Sequence, residues 1–217
     1  MWIQDRRQFL KNGSALWIVG FGLAACGGNG ESGGESDGTA ANRREGVVYG
    51  DAVLGNADAP VEIVEYASMT CGACAYFHAS TYPELKAKYV DTGQVKFIVR
   101  NFVANSVDLS ASMVARCSGE GQFYAVTDLM FRSREEMLGQ DPISGIAGIV
   151  RRAGISRADV DACLQDRELQ KAIVASRDEG ARRFGVSSTP TFVINGEEVV
   201  VGAQSIEDFD RILAKYF

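Results

Sequence analysis

Cys71 and Cys74, three residues apart where a β-rich run gives way to a helical one, constrain this chain more than any other feature. Val61-Glu62-Ile63-Val64-Glu65-Tyr66 is rich in β-branched and aromatic residues and follows a turn signal at Asn56 to Pro60. A helical segment begins at Gly72 and is predicted to run to Tyr89, with Pro83 kinking or restarting it. On a helical turn, positions i and i+3 are neighbours, near enough for a disulfide. A cysteine at a helix N-terminus meets unpaired N–H groups and the positive end of the dipole, both of which favour thiolate over thiol. Such a thiolate is both nucleophile and leaving group, so mixed disulfides form and resolve quickly. Cys74, one turn inside the helix, is expected to be shielded and to resolve the intermediate. Two other uses of the pair need weighing. A zinc site lacks its ligands, because there is no second C-x-x-C and His78 is the single histidine. A purely structural disulfide stays open, although three-residue loops at a helix start seldom serve that end.

The rest of the folded region alternates in a definite order. Val47 to Tyr49 is a possible short strand and Val95 to Phe102 a further one. From Val107 to Phe184 the pattern is helical: Phe123, Val126 and Met130 repeat at three and four, as do Ile146, Ile149, Val150 and Ala153. Gly154 stands where a C′ glycine belongs, Ser156 with Asp159 resembles a capping box, and a last long helix from about Asp166 ends before Gly185. Pro190 to Ile194, the hairpin signal Asn195-Gly196 and Val199 to Val201 follow, and Ser205 with Asp208 opens a terminal helix. The order is that of a split α/β domain carrying an all-helical insertion at about 104–185.

The N-terminal part has a different character. Arg6, Arg7 and Lys11 precede a weakly apolar stretch from Ala15 to Ala25. That stretch is too short for a bilayer span, which takes ~20 residues, and reads as an export signal. Its paired arginines and glycine-containing run resemble twin-arginine signals, although Asp5 stands where that family has Ser or Thr; a general secretory signal is the alternative. Leu23-Ala24-Ala25-Cys26 resembles a lipobox, which implies cleavage before Cys26 and lipidation of it. Residues 27–44 are rich in Gly, Ser and Glu and read as a flexible linker. Residues 45–217 then form one domain large enough for a proper core. Removing residues 1–26 takes away three basic residues and one acid, so the net charge of −6 becomes −8. So acidic a surface argues against nucleic acid and anionic lipid as partners, leaving the lipid anchor as the membrane contact.

Two signatures identify a family resemblance. Glu65-Tyr66-Ala67-Ser68-Met69-Thr70-Cys71-Gly72-Ala73-Cys74 is similar to the active-site strand and helix start of DsbA-like proteins. Gly185-Val186-Ser187-Ser188-Thr189-Pro190-Thr191-Phe192-Val193-Ile194-Asn195-Gly196 resembles their second signature, in which Thr precedes a cis-proline facing the disulfide. The likeness runs from about Val47 to Phe217 and is nearest to alphaproteobacterial members. It implies a thioredoxin fold with an inserted helical domain, and an exported thiol–disulfide oxidoreductase without cofactor, acting as a monomer on the periplasmic side of a bacterial membrane. Reduced or partly unfolded exported proteins are the implied partners, with a DsbB-type membrane re-oxidant. Cys71 becomes the nucleophile and Cys74 the resolving thiol. Pro190 becomes the cis-proline, an ordinary trans strand-opening proline being the alternative, and Thr189 the residue whose main chain pairs with substrate. Glu65 falls on the family's buried acid, a candidate proton relay to Cys74. It lies three positions from Glu62, so the two face opposite sides of a strand, and Glu65 is expected to point inward. His78, seven residues past Cys71, lies roughly 10 Å along a helix axis and is read as packing.

Ala73 departs from the pattern. Many DsbA proteins carry His there to stabilise the thiolate, so Ala73 implies a less oxidising couple. Cys117 and Cys163 fall in the helical block, and an oxidising compartment favours bridging them. The family resemblance implies a second, non-catalytic disulfide there, two unpaired buried thiols being the alternative. The competing functions are a reductase or isomerase, and a lipid-tethered peptide-binding chaperone.

Overall fold

A computed structural model describes residues 46–217; the readings that fall on the export signal, Cys26 and the linker lie outside the described residues. Five strands form one mixed sheet in the order β1-β3-β2-β4-β5. They are β1 (Val53–Leu54), β2 (Val61–Ala67), β3 (Val95–Asn101), β4 (Thr191–Ile194) and β5 (Glu198–Val201). The central strand β2 runs parallel to β3, with Glu65 opposite Val99, and antiparallel to β4, with Glu65 opposite Phe192. Ile194 pairs with Glu198, so the hairpin loop is Asn195-Gly196-Glu197; Asn195 and Gly196 both take positive φ, and Glu197 N–H donates to Ile194 O. The turn is tied to β2, since Asn195 Oδ1 accepts from the Glu62 N–H at 2.8 Å and Asn195 N–H donates to Glu62 O.

Both faces of β2 are buried, which explains its near-continuous apolar run. Ile63 and Ala67, with Phe97, Val99 and Phe192 of neighbouring strands, belong to the main core under the helices. Val64 and Tyr66 line the opposite face with Ile98, Val193 and Val186. Helix α8 (Arg167–Phe184) covers that second face, and its Gly180 sits over Tyr66. A Cβ there would come within 2.8 Å of Tyr66 Cζ and closer still to Cε1. The ring cannot retreat, because Tyr66 Oη accepts from Arg100 Nη1 and the ring packs against Phe102 and Phe184. Gly180→Ala is therefore expected to destabilise by about 1–3 kcal/mol, as overpacking does, in spite of alanine's better helix propensity. Denaturant unfolding checks this, and an unchanged or raised midpoint would contradict it.

The segment predicted as one helix from Gly72 to Tyr89 is three pieces. Helix α1 (Gly72–Ser80) ends at Thr81, α2 (Tyr82–Leu85) restarts with Pro83 in its first turn, and a π-turn covers Lys86–Val90. Proline supplies no N–H to the preceding turn, which is why the break falls there. Six helices fill Ser106 to Phe184: α3 (Ser106–Cys117), α4 (Glu120–Arg132), α5 (Arg134–Met137), α6 (Pro142–Arg151), α7 (Arg157–Leu164) and α8. The capping boxes at Ser156–Asp159 and Ser205–Asp208 are present in both directions, the latter opening α9 (Ile206–Leu213). Residues 47–49 are not a strand, contrary to expectation. Val48 N–H donates to Arg116 O, and the buried Arg116 guanidinium donates to Val48 O and Gly50 O, so this backbone is satisfied by α3 rather than by a sheet.

Candidate active site

Cys71 is the N-cap of α1, with extended backbone angles that swing the chain from the end of β2 into the helix. Its thiol is partly exposed, while Cys74, one turn on, is fully buried, and both are reduced. The Cys71 thiol is lowered from its ordinary value near 9 to about 5. The largest cause is a hydrogen bond from Cys74; the Thr189 side chain and the N–H groups of Cys74 and Ala73 add to it, against the opposing cost of burial. Cys74 is pushed far above the ordinary thiol range by that same bond, by burial and by the negative charge of Glu65. The pair is thus asymmetric: one sulfur is ionised and accessible, the other is protonated and enclosed.

The peptide between Thr189 and Pro190 is cis, and Thr189 lies directly against Cys71. As a thiol, Cys71 donates to Thr189 O at 3.3 Å. As a thiolate it has no proton to donate, and the Thr189 hydroxyl becomes the donor instead. Thr191, just beyond, donates its hydroxyl to Ser188 O and fixes the bend.

Glu65 is wholly buried on the core side of β2, whereas Glu62 reaches the surface and pairs with Lys96 at 3.3 Å. His78, buried on α1, does not reach Cys71; its Nε2 lies 2.9 Å from Glu65 Oε2. Read from the sequence as packing alone, His78 is also the partner of the buried acid. The spacing carried a usable signal, since Cys74 and His78 are i and i+4 on one helix face.

The sequence also missed how the helical insertion grips the loop before Cys71. Asp108, buried in the first turn of α3, accepts from Met69 N–H at 2.8 Å and from Ala104 N–H at 2.9 Å. Asn105 caps α3 and donates to the Thr70 hydroxyl, while Arg134 Nε donates to Thr70 O at 2.7 Å. Burial raises the Asp108 carboxyl, which Ser68 and the two N–H donors only partly counter. Asn105 followed three residues later by Asp108 has the spacing of a helix start, the one clue the sequence offered. Away from this site, Cys117 at the end of α3 and Cys163 in α7 are bridged. Among the described residues no group of three or more His, Cys, Asp or Glu is placed to hold a metal ion.

Cys71 alkylation by iodoacetamide should follow a single ionisation with its midpoint near pH 5. Linkage gives a second readout. A folded value depressed below the unfolded one adds stability to the reduced fold that is complete above about pH 8.5 and is lost as pH falls through about 5. Cys74, raised, counts against the reduced fold only above that upper limit. The melting temperature of the reduced protein should therefore gain on that of the oxidised protein between pH 5 and 8.5. A Cys71 midpoint above pH 8 would contradict this geometry.

Comparison with known proteins agrees with this arrangement. A family model described as Thioredoxin matches residues 48–215. The provisionally named protein-disulfide oxidoreductase of Rickettsia bellii is 32% identical over 148 residues, covering 67% of this chain and 57% of that one. The chain thus spans little more than half the length of that relative. Wolbachia pipientis alpha-DsbA1 superposes with a TM-score of 0.72 at 24% identity, covering 78% of this chain and 92% of that one. A structure from Novosphingobium aromaticivorans, titled a protein-disulfide isomerase, gives 0.65 at 26% identity, covering 77% and 97%. The fold is thus the thioredoxin fold with a helical insertion found in DsbA structures, and the chain belongs to the thioredoxin family.

Proposed function

We propose that this chain is a protein thiol–disulfide oxidoreductase whose physiological direction is oxidation of exported proteins. The observation that carries the reading is the asymmetric pair: an accessible Cys71 ionised at neutral pH above an enclosed Cys74, both beside the cis Thr189–Pro190 peptide. In the oxidised enzyme a substrate thiolate attacks the Cys71 sulfur and Cys74 leaves. A second substrate thiolate then attacks its own sulfur in the mixed disulfide and expels Cys71 as the stable thiolate. Two electrons end on the enzyme and one disulfide on the substrate. A low-pKa Cys71 favours this direction because the better leaving group is the enzyme's own.

Thr189 fits a docking role, its main chain lying where an extended substrate segment would pair beside Cys71. Re-oxidation by a DsbB-type quinone reductase in the membrane, export, and tethering through Cys26 belong to the same proposal. Ala73 brings only its N–H to the nucleophile, so the couple is expected below the roughly −120 mV of DsbA and above the roughly −270 mV of thioredoxin. The deciding experiment is the Cys71–Cys74 reduction potential paired with the redox state of the chain in cells. A mostly oxidised pair supports the oxidase; a mostly reduced one would place the chain among reductases or isomerases. Loss of both cysteines without loss of function would point to a chaperone.

A further inference from the structure

Glu65 and His78 form a buried acid–imidazole pair whose cost the fold does not explain. Glu65 is fully enclosed and His78 is 2% exposed. The contact between them is sound, at 2.9 Å, yet Glu65 Oε1 and His78 Nδ1 are both buried without a hydrogen-bond partner among the described residues. Each orphaned atom has given up its hydrogen bonds to water and regained none. A purely structural pair with two orphans would be replaceable by apolar side chains of similar volume at little loss. An unsatisfied buried group in a native fold calls for a reason, and a catalytic one is among the commonest.

The surroundings suggest which. The His78 ring is held on several sides, stacked on Phe131 with centroids 4.2 Å apart, tilted against Tyr82 and edge-on to Phe77. It cannot swing away from Glu65 without displacing those rings. Glu65 in turn is near enough to Cys74 for its charge to oppose ionisation of that thiol. The other titratable groups that feel the Glu65 charge are Tyr82 at the start of α2 and Tyr124 on α4. Both phenols are held protonated by burial, and neither competes as a proton acceptor at neutral pH. Among the described residues, that leaves His78 as the basic partner of this carboxyl.

We propose that His78 is a positioning residue for the Cys74 half-reaction: it fixes Glu65 through one carboxylate oxygen, leaves the other unpartnered, and shares the proton that Cys74 gains or loses. The inference rests on the oxidoreductase reading above. When Cys74 attacks a mixed disulfide on Cys71, a new Cys71–Cys74 bond forms, the Cys71–substrate S–S bond breaks, and the substrate leaves as thiolate. The Cys74 proton passes to the Glu65–His78 pair. In the opposite direction Cys74 leaves and the pair returns the proton.

The reaction of reduced protein with 5,5′-dithiobis(2-nitrobenzoate) separates the two halves. Attack by Cys71 releases one thionitrobenzoate, and closure by Cys74 releases the second and one proton; the reagent is the two-electron oxidant. Between pH 5 and 7, His78→Gln is expected to slow the second phase at least tenfold while leaving the first within twofold. Glutamine keeps a hydrogen bond to Glu65 but cannot carry the proton. Glu65→Gln should show the same second-phase defect, and His78→Asn serves if His78→Gln does not fold. A second phase as fast as in the parent protein, resolved or not, overturns the inference. So does an equal slowing of both phases, or a defect in Glu65→Gln that the His78 variants lack. If the unaltered protein releases no second thionitrobenzoate, the oxidoreductase reading itself fails.

Discussion

Cys71→Ala should abolish catalysed thiol–disulfide exchange entirely, whereas Cys74→Ala should leave a reactive protein that stalls as a mixed disulfide with its substrate. The difference follows from exposure: Cys71 is partly open to solvent, while Cys74 is buried, hydrogen-bonded to Cys71 and to the Ser68 backbone. Cys74→Ala carries a second, quantitative consequence. The hydrogen bond from Cys74 is the largest influence holding the Cys71 thiol near 5, so its loss should move the alkylation midpoint upward, toward the ordinary thiol value. Thr189 and the two helix N–H groups remain, so the midpoint should stop short of that limit. Trapped adducts on a denaturing gel and the pH profile of alkylation read the two effects separately. A Cys74→Ala midpoint still near pH 5 would mean that the helix terminus, and not the second sulfur, ionises the nucleophile.

The parts of this site that were legible in the sequence are those set by short-range rules. A strand followed at once by C-x-x-C and a helix fixes where Cys71 and Cys74 stand, whatever surrounds them. Strand alternation separates Glu65 from Glu62, and in the structure they lie on the buried and the exposed side respectively. Capping chemistry located the starts of α7 and α9 because Ser and Asp act on N–H groups three residues away. The features that escaped depend on tertiary placement. Asp108 holds Met69 across 39 residues, and Arg134 holds Thr70 across 64. No periodicity carries such information, because a buried acid in the first turn of a helix reads as an ordinary favourable charge. The absent strand at residues 47–49 failed for the same reason, its N–H and carbonyl groups being claimed by Arg116 from α3. The insertion is therefore more than a cover: its first helix and Arg134 hold the loop that leads into Cys71.

Removing the second disulfide should cost this fold a large part of its stability. The Cys117–Cys163 bridge joins the last residue of α3 to α7 across a sequence separation of 46. In the chain-entropy model, closing a loop of that size restricts the unfolded chain by about 4 kcal/mol at 25 °C. Cys117→Ala with Cys163→Ala is accordingly expected to cost about 3–4 kcal/mol, lowering the melting temperature by about 10 °C for a domain of this length. The double variant is the proper test, since a single one leaves a thiol that can exchange with Cys71. The effect should be one of stability alone. Asp108, Asn105 and Arg134 grip the active-site loop from the opposite end of α3 and from α5, so the Cys71 alkylation midpoint should stay near pH 5 in the folded variant. If the double variant melts within a degree or two of the parent, the unfolded chain is already compact about this loop and the entropic argument fails. If it melts low and its Cys71 midpoint also moves, the bridge holds the nucleophile as well as the fold, and α3 must transmit strain from Cys117 to Asp108.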